Sequence, residues 1–174
     1  MNTHQTSLLK DSHCSYCGSR FTEQNIYPRK CFVCYNDTWK NPIPVVVMLI
    51  PIWGNGYLIQ QRNIEPEKGG WAFCGGYIDA GEEWNEAAAR ELKEEMGLQA
   101  KPDEFRVVDV RNDTSGHMII FCAHDGFTLS ELQSSFIPNE EVAGYNFIYE
   151  ESLDKVKLCF PLHQEMFLEW LAKQ

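Results

Sequence analysis

One stretch, residues 76–98, constrains this chain more than any other, and it reads GYIDAGEEWNEAAARELKEEMGL. Its three consecutive alanines favour a helix. Within that helix Glu91, Glu94 and Glu95 share one side, because positions three and four apart lie on the same face. Carboxylates this close repel one another. The pattern therefore indicates that a cation lies among them.

The helix is predicted to run from about residue 83 to residue 96, with Gly97 placed as its C-terminal stop. Ala88, Leu92 and Met96 form an apolar line at i, i+4 and i+8. The acids sit beside this line. The helix is therefore expected to pack by one stripe and to present its carboxylates on the adjoining one.

Length and charge narrow the class of protein. The 174 residues allow one ordinary domain plus a small appendage, and 44% hydrophobic content is enough for a packed core. The net charge of −10 argues against nonspecific binding to nucleic acid. No apolar run approaches the roughly 20 residues that span a bilayer, and the first dozen residues lack a secretory signal. A cytoplasmic protein is the expectation.

Two tight cysteine pairs stand near the N-terminus. They are Cys14 with Cys17, and Cys31 with Cys34, separated by thirteen residues. A two-residue gap lets both thiolates of a pair reach one ion from a tight turn, and two such turns complete a tetrahedral shell of four sulfurs. The pattern predicts a Zn²⁺ site. Since four protein ligands leave no open position, the zinc is expected to be structural.

The cysteine pairs also predict the domain organisation, a zinc ribbon at 1–40 and a main domain at 41–174. Two prolines at 41–44 mark the boundary, because proline disfavours a regular element there. The ribbon is too small to fold without its metal. With the few cations Arg20, Arg29, Lys30 and Lys40, its expected role is to pack against the main domain or to support a dimer.

The main domain is predicted to be α+β, with helices covering a mixed sheet. A hairpin is expected from its first strand, the turn at Gly54–Gly56 and the next strand, and Gly75-Gly76 is expected to break the chain after a further strand. The predicted strands cover 45–51, 57–62, 71–74, 107–110, 118–123 and 145–149, and a last helix covers 161–174.

The stretch at 76–98 matches the Nudix signature at every defined position. That signature reads Gly, five residues, Glu, seven residues, Arg-Glu, an aliphatic, any residue, Glu-Glu, any residue, Gly and an aliphatic. The matching residues are Gly76, Glu82, Arg90, Glu91, Leu92, Glu94, Glu95, Gly97 and Leu98. The chain therefore resembles a Nudix hydrolase over roughly residues 41–150, with a zinc ribbon in front that recurs in some branches.

The resemblance implies the Nudix fold, an α/β/α sandwich with a mixed sheet, and hydrolysis of a nucleoside diphosphate linked to another group. It implies Mg²⁺ or Mn²⁺ held by Glu91, Glu94, Glu95 and the Gly75 carbonyl, with Glu91 also a candidate base. Divalent cations neutralise phosphate charge and activate water, and Mg²⁺ prefers carboxylate and water oxygens. Only glycine lets the backbone approach a metal so closely.

Other residues of the signature at 76–98, called the box below, are expected to orient the site rather than to react. Glu82 and Arg90 resemble an ion pair that clamps the loop onto the helix. The alternative for Glu82 and Glu83 is a favourable charge near a helix N-terminus. Cys74 stands where many relatives have proline, which alters loop stiffness but removes no ligand.

Family members often add a glutamate from a loop after the box. Here Glu140 and Glu141 precede the strand that contains Phe147. The family's usual spacing selects Glu141 over Glu140. From the residues alone, both would be a solvated loop.

Two branches of the Nudix family that carry a zinc ribbon suggest which substrate to expect. The NADH pyrophosphatases carry a Ser-Gln-Pro-Trp-Pro-Phe-Pro array after the box, and nothing between Gln99 and Ile137 resembles it. The stretches at 41–42, 61–66 and 70–71 look more like the FAD or ADP-ribose pyrophosphatases. Aromatic rings are candidates to stack on a base, although a place in the core explains any single ring better. The rings chosen are those of Trp71 and Tyr77, and Arg62 is the candidate phosphate ligand.

Alternatives from other classes remain. Hydrolysis of nucleoside triphosphates and removal of RNA caps are enzymatic rivals, and the second needs a path for a polyanion. A Nudix-fold regulator that binds nucleotides without cleaving them is the non-enzymatic alternative, but such proteins usually lose box acids. A small-molecule nucleotide is thus the expected partner, and a homodimer is an expectation because many relatives dimerise.

Overall fold

The computed structural model describes residues 11–22, 26–153 and 155–174. The chain divides into two compact units, Met1–Asn41 and Pro42–Gln174, and each is described by itself. The part of the expected ribbon that precedes residue 11 lies outside the described residues. In the part of the chain that the structure describes, no helix is long and apolar enough to cross a membrane.

The smaller unit is organised around its cysteines. Two short strands, β1 (Arg29–Lys30) and β2 (Asp37–Thr38), pair antiparallel. Its buried apolar cluster consists of Phe21 with Cys14 and Cys31, and Cys34 packs against it. A cluster of this size buries too little apolar area to stabilise a fold alone.

The larger unit contains eight strands and three α-helices in its described residues. Their bounds are β3 Ile43–Leu49, β4 Pro51–Ile52, β5 Gly56–Arg62, β6 Trp71–Ala72, β7 Gly75–Tyr77, α1 Trp84–Met96, β8 Arg106–Asn112, β9 His117–Ala123, α2 Leu129–Ser135, β10 Val142–Ile148 and α3 Pro161–Leu171. Short 3-10 turns lie at Pro102–Glu104 and Glu150–Ser152.

The strands form two sheets. One has the order β7-β3-β9-β8, in which β3 and β9 run parallel and the other neighbours run antiparallel. The other has the order β10-β5-β4, with β6 also paired to β5. The mixed-sheet prediction is confirmed.

Strand β3 explains why the unit is layered. Successive side chains of a strand point to opposite faces. Val46 and Met48 accordingly join the apolar cluster that includes Leu92 of α1. Val47 and Leu49 join the opposite cluster, which includes Met166 and Phe167 of α3. The sheet therefore lies between helices, as the α/β/α expectation requires.

The predicted hairpin differs from the observed one. Most of the first predicted strand, β3, pairs with β7 and β9, and only Pro51 and Ile52 of β4 pair with β5. The chain thus passes from one sheet to the other near Ile50. Pro51 lacks an N–H and suits such a break in the ladder.

The glycine pair also behaves differently from the prediction of a chain break. Gly75 and Gly76 form β7 and pair with Val47 and Val46 of β3. Gly75 has a φ of 148°, and a Cβ there would overlap the Val46 carbonyl oxygen. The glycines allow the backbones to approach closely, so they extend the sheet rather than end it.

One helix was absent from the sequence prediction. Thr128 caps α2 by accepting a hydrogen bond from the Glu131 N–H at 3.2 Å, and the Glu131 carboxylate accepts one from the Thr128 N–H at 2.7 Å. This is a capping box, whose Thr-x-x-Glu pattern is visible in the sequence. The last helix also ends earlier than predicted, at Leu171.

The prediction for α1 is confirmed. The helix ends at Met96, and Gly97 follows in the left-handed region with a φ of 71°. A Cβ at Gly97 would overlap the Ser135 carbonyl oxygen. The glycine is required by both its conformation and its packing against the end of α2.

Candidate functional site

The three glutamates of α1 differ in exposure. Glu91 is 8% exposed and Glu95 is 5% exposed, because they flank the buried stripe that contains Leu92. The Glu94 side chain is 60% exposed. Two carboxylates are thus turned toward the sheet, and the third points to solvent.

The Glu95 carboxylate is held by two neutral donors. Gln60 Nε2, on the neighbouring strand β5, donates to Oε1 at 2.6 Å. The Gly75 N–H donates to Oε2 at 2.9 Å. Each oxygen therefore has one donor from the protein, and each retains capacity for a second partner, because a carboxylate oxygen has two lone-pair sites.

Arg90 organises the other carboxylates. Its guanidinium binds both oxygens of Glu82, with Nε–Oε1 at 2.9 Å and Nη2–Oε2 at 3.0 Å. Nη1 reaches Glu91 at 2.7 Å and Glu94 at 3.1 Å, and Nη2 also donates to the Tyr77 carbonyl at 2.9 Å. The arginine thus ties the loop before α1 to the helix, as the ion-pair interpretation expects.

Burial dominates the electrostatics of the site. Burial raises the pKa of Glu95 to about 8, against the hydrogen bonds from Gln60 and Gly75, and the charges of Glu91 and Glu141 add to the increase. Burial likewise raises the pKa of Glu91, although Arg90 opposes it. The protein alone therefore disfavours the charged forms of both carboxylates.

Arg90 has the opposite effect on the pKa of Glu82, its partner in the clamp. Its hydrogen bond lowers the pKa of Glu82, and in return the Glu82 carboxylate raises the pKa of Arg90. Both groups are therefore charged throughout the physiological range, which suits an orienting pair.

The Glu141 loop is fastened to the end of α1 through Asn139. Asn139 Nδ2 donates to the Glu94 carbonyl at 3.0 Å, and its Oδ1 accepts from the backbone N–H groups of Glu141 and Val142. The Asn63 N–H donates to the Glu141 carbonyl at 2.7 Å. The Glu141 charge is a minor contribution to the raised pKa of both Glu91 and Glu95.

The nearest carboxylate, that of Glu91, explains why position 76 is a glycine. A Cβ at Gly76 would overlap the Glu91 carboxylate. The absence of a side chain at position 76 leaves the space in which Glu91 lies. For Gly75 the observed contact is made by the N–H, and the role of its carbonyl as a metal ligand stays a prediction.

The three residues chosen for substrate binding have different surroundings. Arg62 Nε donates to the Pro66 carbonyl at 2.8 Å, and its guanidinium lies 5.2 Å from the centre of the Phe160 ring. Trp71 is half-buried against the cluster that includes α3. Tyr77 is 57% exposed, and its ring lies 5.9 Å from that of His117. Of the three, only Tyr77 contacts Arg90.

The four cysteines of the smaller unit form a closed group. Their Sγ atoms all lie within 4.8 Å of one another, and two pairs, Cys14–Cys34 and Cys17–Cys31, are 3.6 Å apart. Zn–S bonds of about 2.3 Å in a tetrahedron give sulfur separations of about 3.8 Å, close to those observed. The arrangement fits one metal ion.

Among the described residues, this cysteine group is the one cluster of three or more metal-ligand atoms gathered this tightly. The glutamates are less tightly gathered, and Arg90 is the described cation that pairs with Glu91 and Glu94. Their hard carboxylate oxygens nevertheless fit a divalent cation. A bound cation would offset the cost of charging the two buried carboxylates, so the donor set is compatible with the group that the resemblance implies.

Fold and site together define an α/β/α sandwich whose first helix holds a cluster of glutamates on an arginine clamp. A family model described as the NUDIX domain matches residues 42–171, so the chain belongs to the NUDIX family. Nudix enzymes use divalent metals and act on small nucleotide substrates. The family match and the hydrolase relatives support a pyrophosphohydrolase enzyme.

Individual relatives agree with this assignment. A CTP pyrophosphohydrolase of Escherichia coli is 34% identical over 77 residues, which are 44% of this chain and 56% of that protein. The match thus spans just over half the length of this curated relative.

Solved structures with the same fold include a NUDIX hydrolase from Nitrosomonas europaea, with a TM-score of 0.66, 20% identity and coverage of 94% of this chain and 92% of that chain. A bifunctional NMN adenylyltransferase/ADP ribose pyrophosphatase from Francisella tularensis has a TM-score of 0.58 and 18% identity, covering 78% of this chain and 42% of that one. At these identities, the likeness shows the fold.

Two residues of the site were absent from the sequence predictions, Gln60 and Asn139. Gln60 is a polar residue that follows the buried apolar pair Leu58 and Ile59 on a strand. A polar residue in such a position is a signal, since buried polar groups need partners. Asn139 precedes two acids in a loop, where an asparagine side chain often binds backbone N–H groups two residues on.

Proposed function

We propose that the protein hydrolyses the pyrophosphate bond of a nucleoside diphosphate linked to another moiety, of the FAD, ADP-ribose or NADH type, and releases a nucleoside monophosphate. The observation that carries this proposal is the pair of buried carboxylates, Glu91 and Glu95, on one turn of α1. Burying two acids side by side is costly unless a cation joins them. A diphosphate substrate has the same requirement for positive charge.

In this proposal Glu91, Glu94, Glu95, Glu141 and the Gly75 carbonyl hold Mg²⁺ or Mn²⁺. A divalent cation bound there supplies charge neutralisation at the phosphates and activates water for attack. Glu91 or Glu141 takes the proton from that water. Both candidates fit, since Glu91 is buried beside Gly76 and the Glu141 charge acts on it.

Arg90 and Glu82 orient the site rather than react. The guanidinium has five observed acceptors on four residues, which fixes the helix against the loop before it. Gly76 and Gly97 are structural in the same sense, because neither position has room for a Cβ. A lysine at position 90 would supply the charge without this planar fork.

The organic part of the substrate is proposed to lie against Tyr77, whose ring is exposed next to His117. Stacking on an aromatic ring suits an adenine or flavin. Trp71 and Arg62 are the further proposed contacts. Their packing against the core and against Phe160 means that each would act from a position fixed by the fold.

A second candidate is the hydrolysis of a nucleoside triphosphate. The observation that favours it is the 34% identity to a CTP pyrophosphohydrolase over 77 residues. A triphosphate makes the same demand on the glutamates and differs at the leaving group. The two candidates therefore share a metal site and differ in their products.

For the smaller unit we propose a zinc ribbon at 1–40, in front of a NUDIX domain at 41–174. The cysteine group has the closed geometry of a structural site, which supports this role. The net charge of −10 supports small nucleotides as substrates over nucleic acid. A homodimer is proposed as well, and its mass in solution tests it.

The experiment is a turnover panel with Mg²⁺ or Mn²⁺ and the substrates FAD, NADH, ADP-ribose and CTP. Metal-dependent release of a nucleoside monophosphate, together with a second monophosphate, from FAD, NADH or ADP-ribose supports the first candidate. CMP and pyrophosphate from CTP support the second. Glu95→Gln is expected to abolish the activity, and Glu86→Gln is the matched control.

Glu86 lies on the same helix, where its carboxylate accepts only the Glu83 N–H at 3.0 Å, and glutamine can make that bond too. Equal loss of turnover in Glu86→Gln would mean that the helix, not the Glu95 carboxylate, had been affected. No metal-dependent release from any substrate would overturn both catalytic candidates and favour a nucleotide-binding regulator.

A further inference from the structure

Gln60 occupies a position in the larger unit that stability does not explain. Its side chain is 2% exposed, in the middle of β5, between Ala72 of β6 and Tyr145 of β10. Its Oε1 is buried and has no hydrogen-bond partner among the described residues. A buried acceptor without a partner is destabilising, so an apolar side chain of similar volume would suit the core better.

The other end of the same amide explains the residue. Nε2 donates to Glu95 Oε1 at 2.6 Å, while the Gly75 N–H holds Oε2 at 2.9 Å. One donor on each oxygen fixes the plane of the carboxylate. Because β5 is an interior strand with neighbours on both sides, the position of the Gln60 backbone is fixed as well.

The neutrality of this donor is as informative as its position. Arg90 pairs with Glu91 and Glu94 and contributes a positive charge to them. Gln60 orients Glu95 without neutralising it. A lysine or arginine at position 60 would offer hydrogen bonds too, but it would compete with any cation that binds there.

We propose that Gln60 is a positioning residue, which holds the Glu95 carboxylate in the orientation that receives a divalent cation without itself supplying a positive charge. This inference rests on the proposed function, because it assumes that Glu95 is a metal ligand. Partners of this kind, one step behind the ligands, orient them and typically change metal affinity by about 10- to 100-fold when they are removed.

The test measures binding of Mn²⁺ to the zinc-loaded full chain, by the loss of the free-ion electron paramagnetic resonance signal. Gln60→Met, which preserves length and removes both amide groups, is expected to weaken binding by about tenfold or more. Its melting temperature is expected to change little, because removal of the unpaired Oε1 and loss of the bond to Glu95 act in opposite directions. Gln60→Leu is the second variant, in case the first does not fold.

Gln61→Met is the matched control. Gln61 is the next residue of β5, but its Nε2 donates to the Gly69 carbonyl at 3.2 Å and not to a glutamate. Its Mn²⁺ affinity is expected to equal that of the wild type. A further readout is turnover at saturating Mg²⁺, where Gln60→Met is expected to lower kcat and leave KM unchanged.

The possible outcomes distinguish failure of the positioning role from failure of the proposed function. If the wild type binds Mn²⁺ and the Gln60 variants bind it equally well, the positioning role is overturned while the proposed function stands. A lower melting temperature with unchanged affinity would assign Gln60 to the core and would also overturn it. If the zinc-loaded wild type binds no Mn²⁺ in the larger unit, both the inference and the proposed metal site fail.

Discussion

The cysteine group of the smaller unit and the glutamate group of the larger one are assembled in different ways. The four Sγ atoms lie within 4.8 Å of one another around a very small buried cluster. The carboxylates are instead held apart by the protein's own donors, since Arg90 binds Glu91 and Gln60 binds Glu95. We therefore expect the cysteine group to need an ion in order to fold, and the glutamate group to be positioned by the fold before an ion binds.

This difference follows from core size. The larger unit has two extensive apolar clusters, one on each side of the sheet that contains β3. Such a unit can carry the cost of burying Glu91 and Glu95. The smaller unit has no comparable reserve among its described residues, so we expect its stability to depend on metal.

The largest expected effect therefore concerns the ribbon. Cys31→Ser removes one of four ligands, and we expect loss of zinc and unfolding of the smaller unit, because zinc binding contributes on the order of 10 kcal/mol to small metal-dependent folds. The larger unit is expected to stay folded. Zinc content by mass spectrometry and the dispersion of amide NMR signals measure the two parts of the prediction.

Cys159→Ser is the matched control, since Cys159 lies outside the ribbon and is half-buried. It is expected to leave the zinc content unchanged. Unfolding of both units in Cys31→Ser would contradict the expected difference between them, because it would mean that the larger unit also depends on zinc.

The second effect concerns the core of the larger unit. His163 of α3 is fully buried among the rings of Phe73, Phe121 and Phe160, and its Nδ1 has no partner among the described residues. Burial, with repulsion from Arg62, lowers the pKa of His163 to about 3. A histidine with a lowered folded-state pKa stabilises the protein fully above pH 6.5 and loses that contribution as the pH falls toward 3.

Between pH 7 and pH 4 this group alone is expected to remove on the order of 3 kcal/mol from the free energy of unfolding. His163→Met has no titrating group and is expected to flatten that part of the profile. Urea unfolding at both pH values measures it. An identical slope in the variant would show that His163 takes up its proton equally well in the folded and the unfolded state, which would contradict the lowered folded-state pKa.

The third effect tests how closely the fold defines the glutamate site. Gly76→Ala places a Cβ where the Glu91 carboxylate lies, so we expect turnover to fall on the order of a hundredfold. Gly144→Ala is the control, because a Cβ there meets open space. Equal activities of the two variants would mean that Glu91 can move without consequence.

The residues of α1 could be predicted from the sequence because their pattern is local. Helical spacing, three alanines and Gly97 were sufficient to predict the bounds of the helix, and the box supplied the roles proposed for Glu91 and Glu95. Local periodicity determines which side chains share a helix face. It does not determine which strand lies opposite that face.

The missed features depend on contacts between distant residues. Gln60 and Glu95 are 35 positions apart in sequence, and Asn139 lies 45 positions from Glu94. The passage of the chain from β3 into the second sheet also depends on distant residues, since β3 pairs with β9. The exception is α2, whose capping box at Thr128 is a local pattern of the sequence.

The smallest expected effect concerns Asn139, which connects the Glu141 loop to α1 without being a ligand. Asn139→Ala removes the bond to the Glu94 carbonyl and the two bonds from the Glu141 and Val142 N–H groups. Turnover is expected to fall about tenfold at saturating metal, since the Glu141 carboxylate loses its support.

Asn146→Ala is the matched control, because Asn146 also accepts a backbone N–H, that of Phe147, but lies within β10. It is expected to retain activity. The two variants together test how the glutamate site differs from the cysteine group. If removing Asn139 matters and removing Asn146 does not, the glutamate site depends on contacts that position its loops, whereas a closed group of four thiolates depends on its ion. Equal turnover in both variants would instead indicate that Glu141 reaches the site without support from α1.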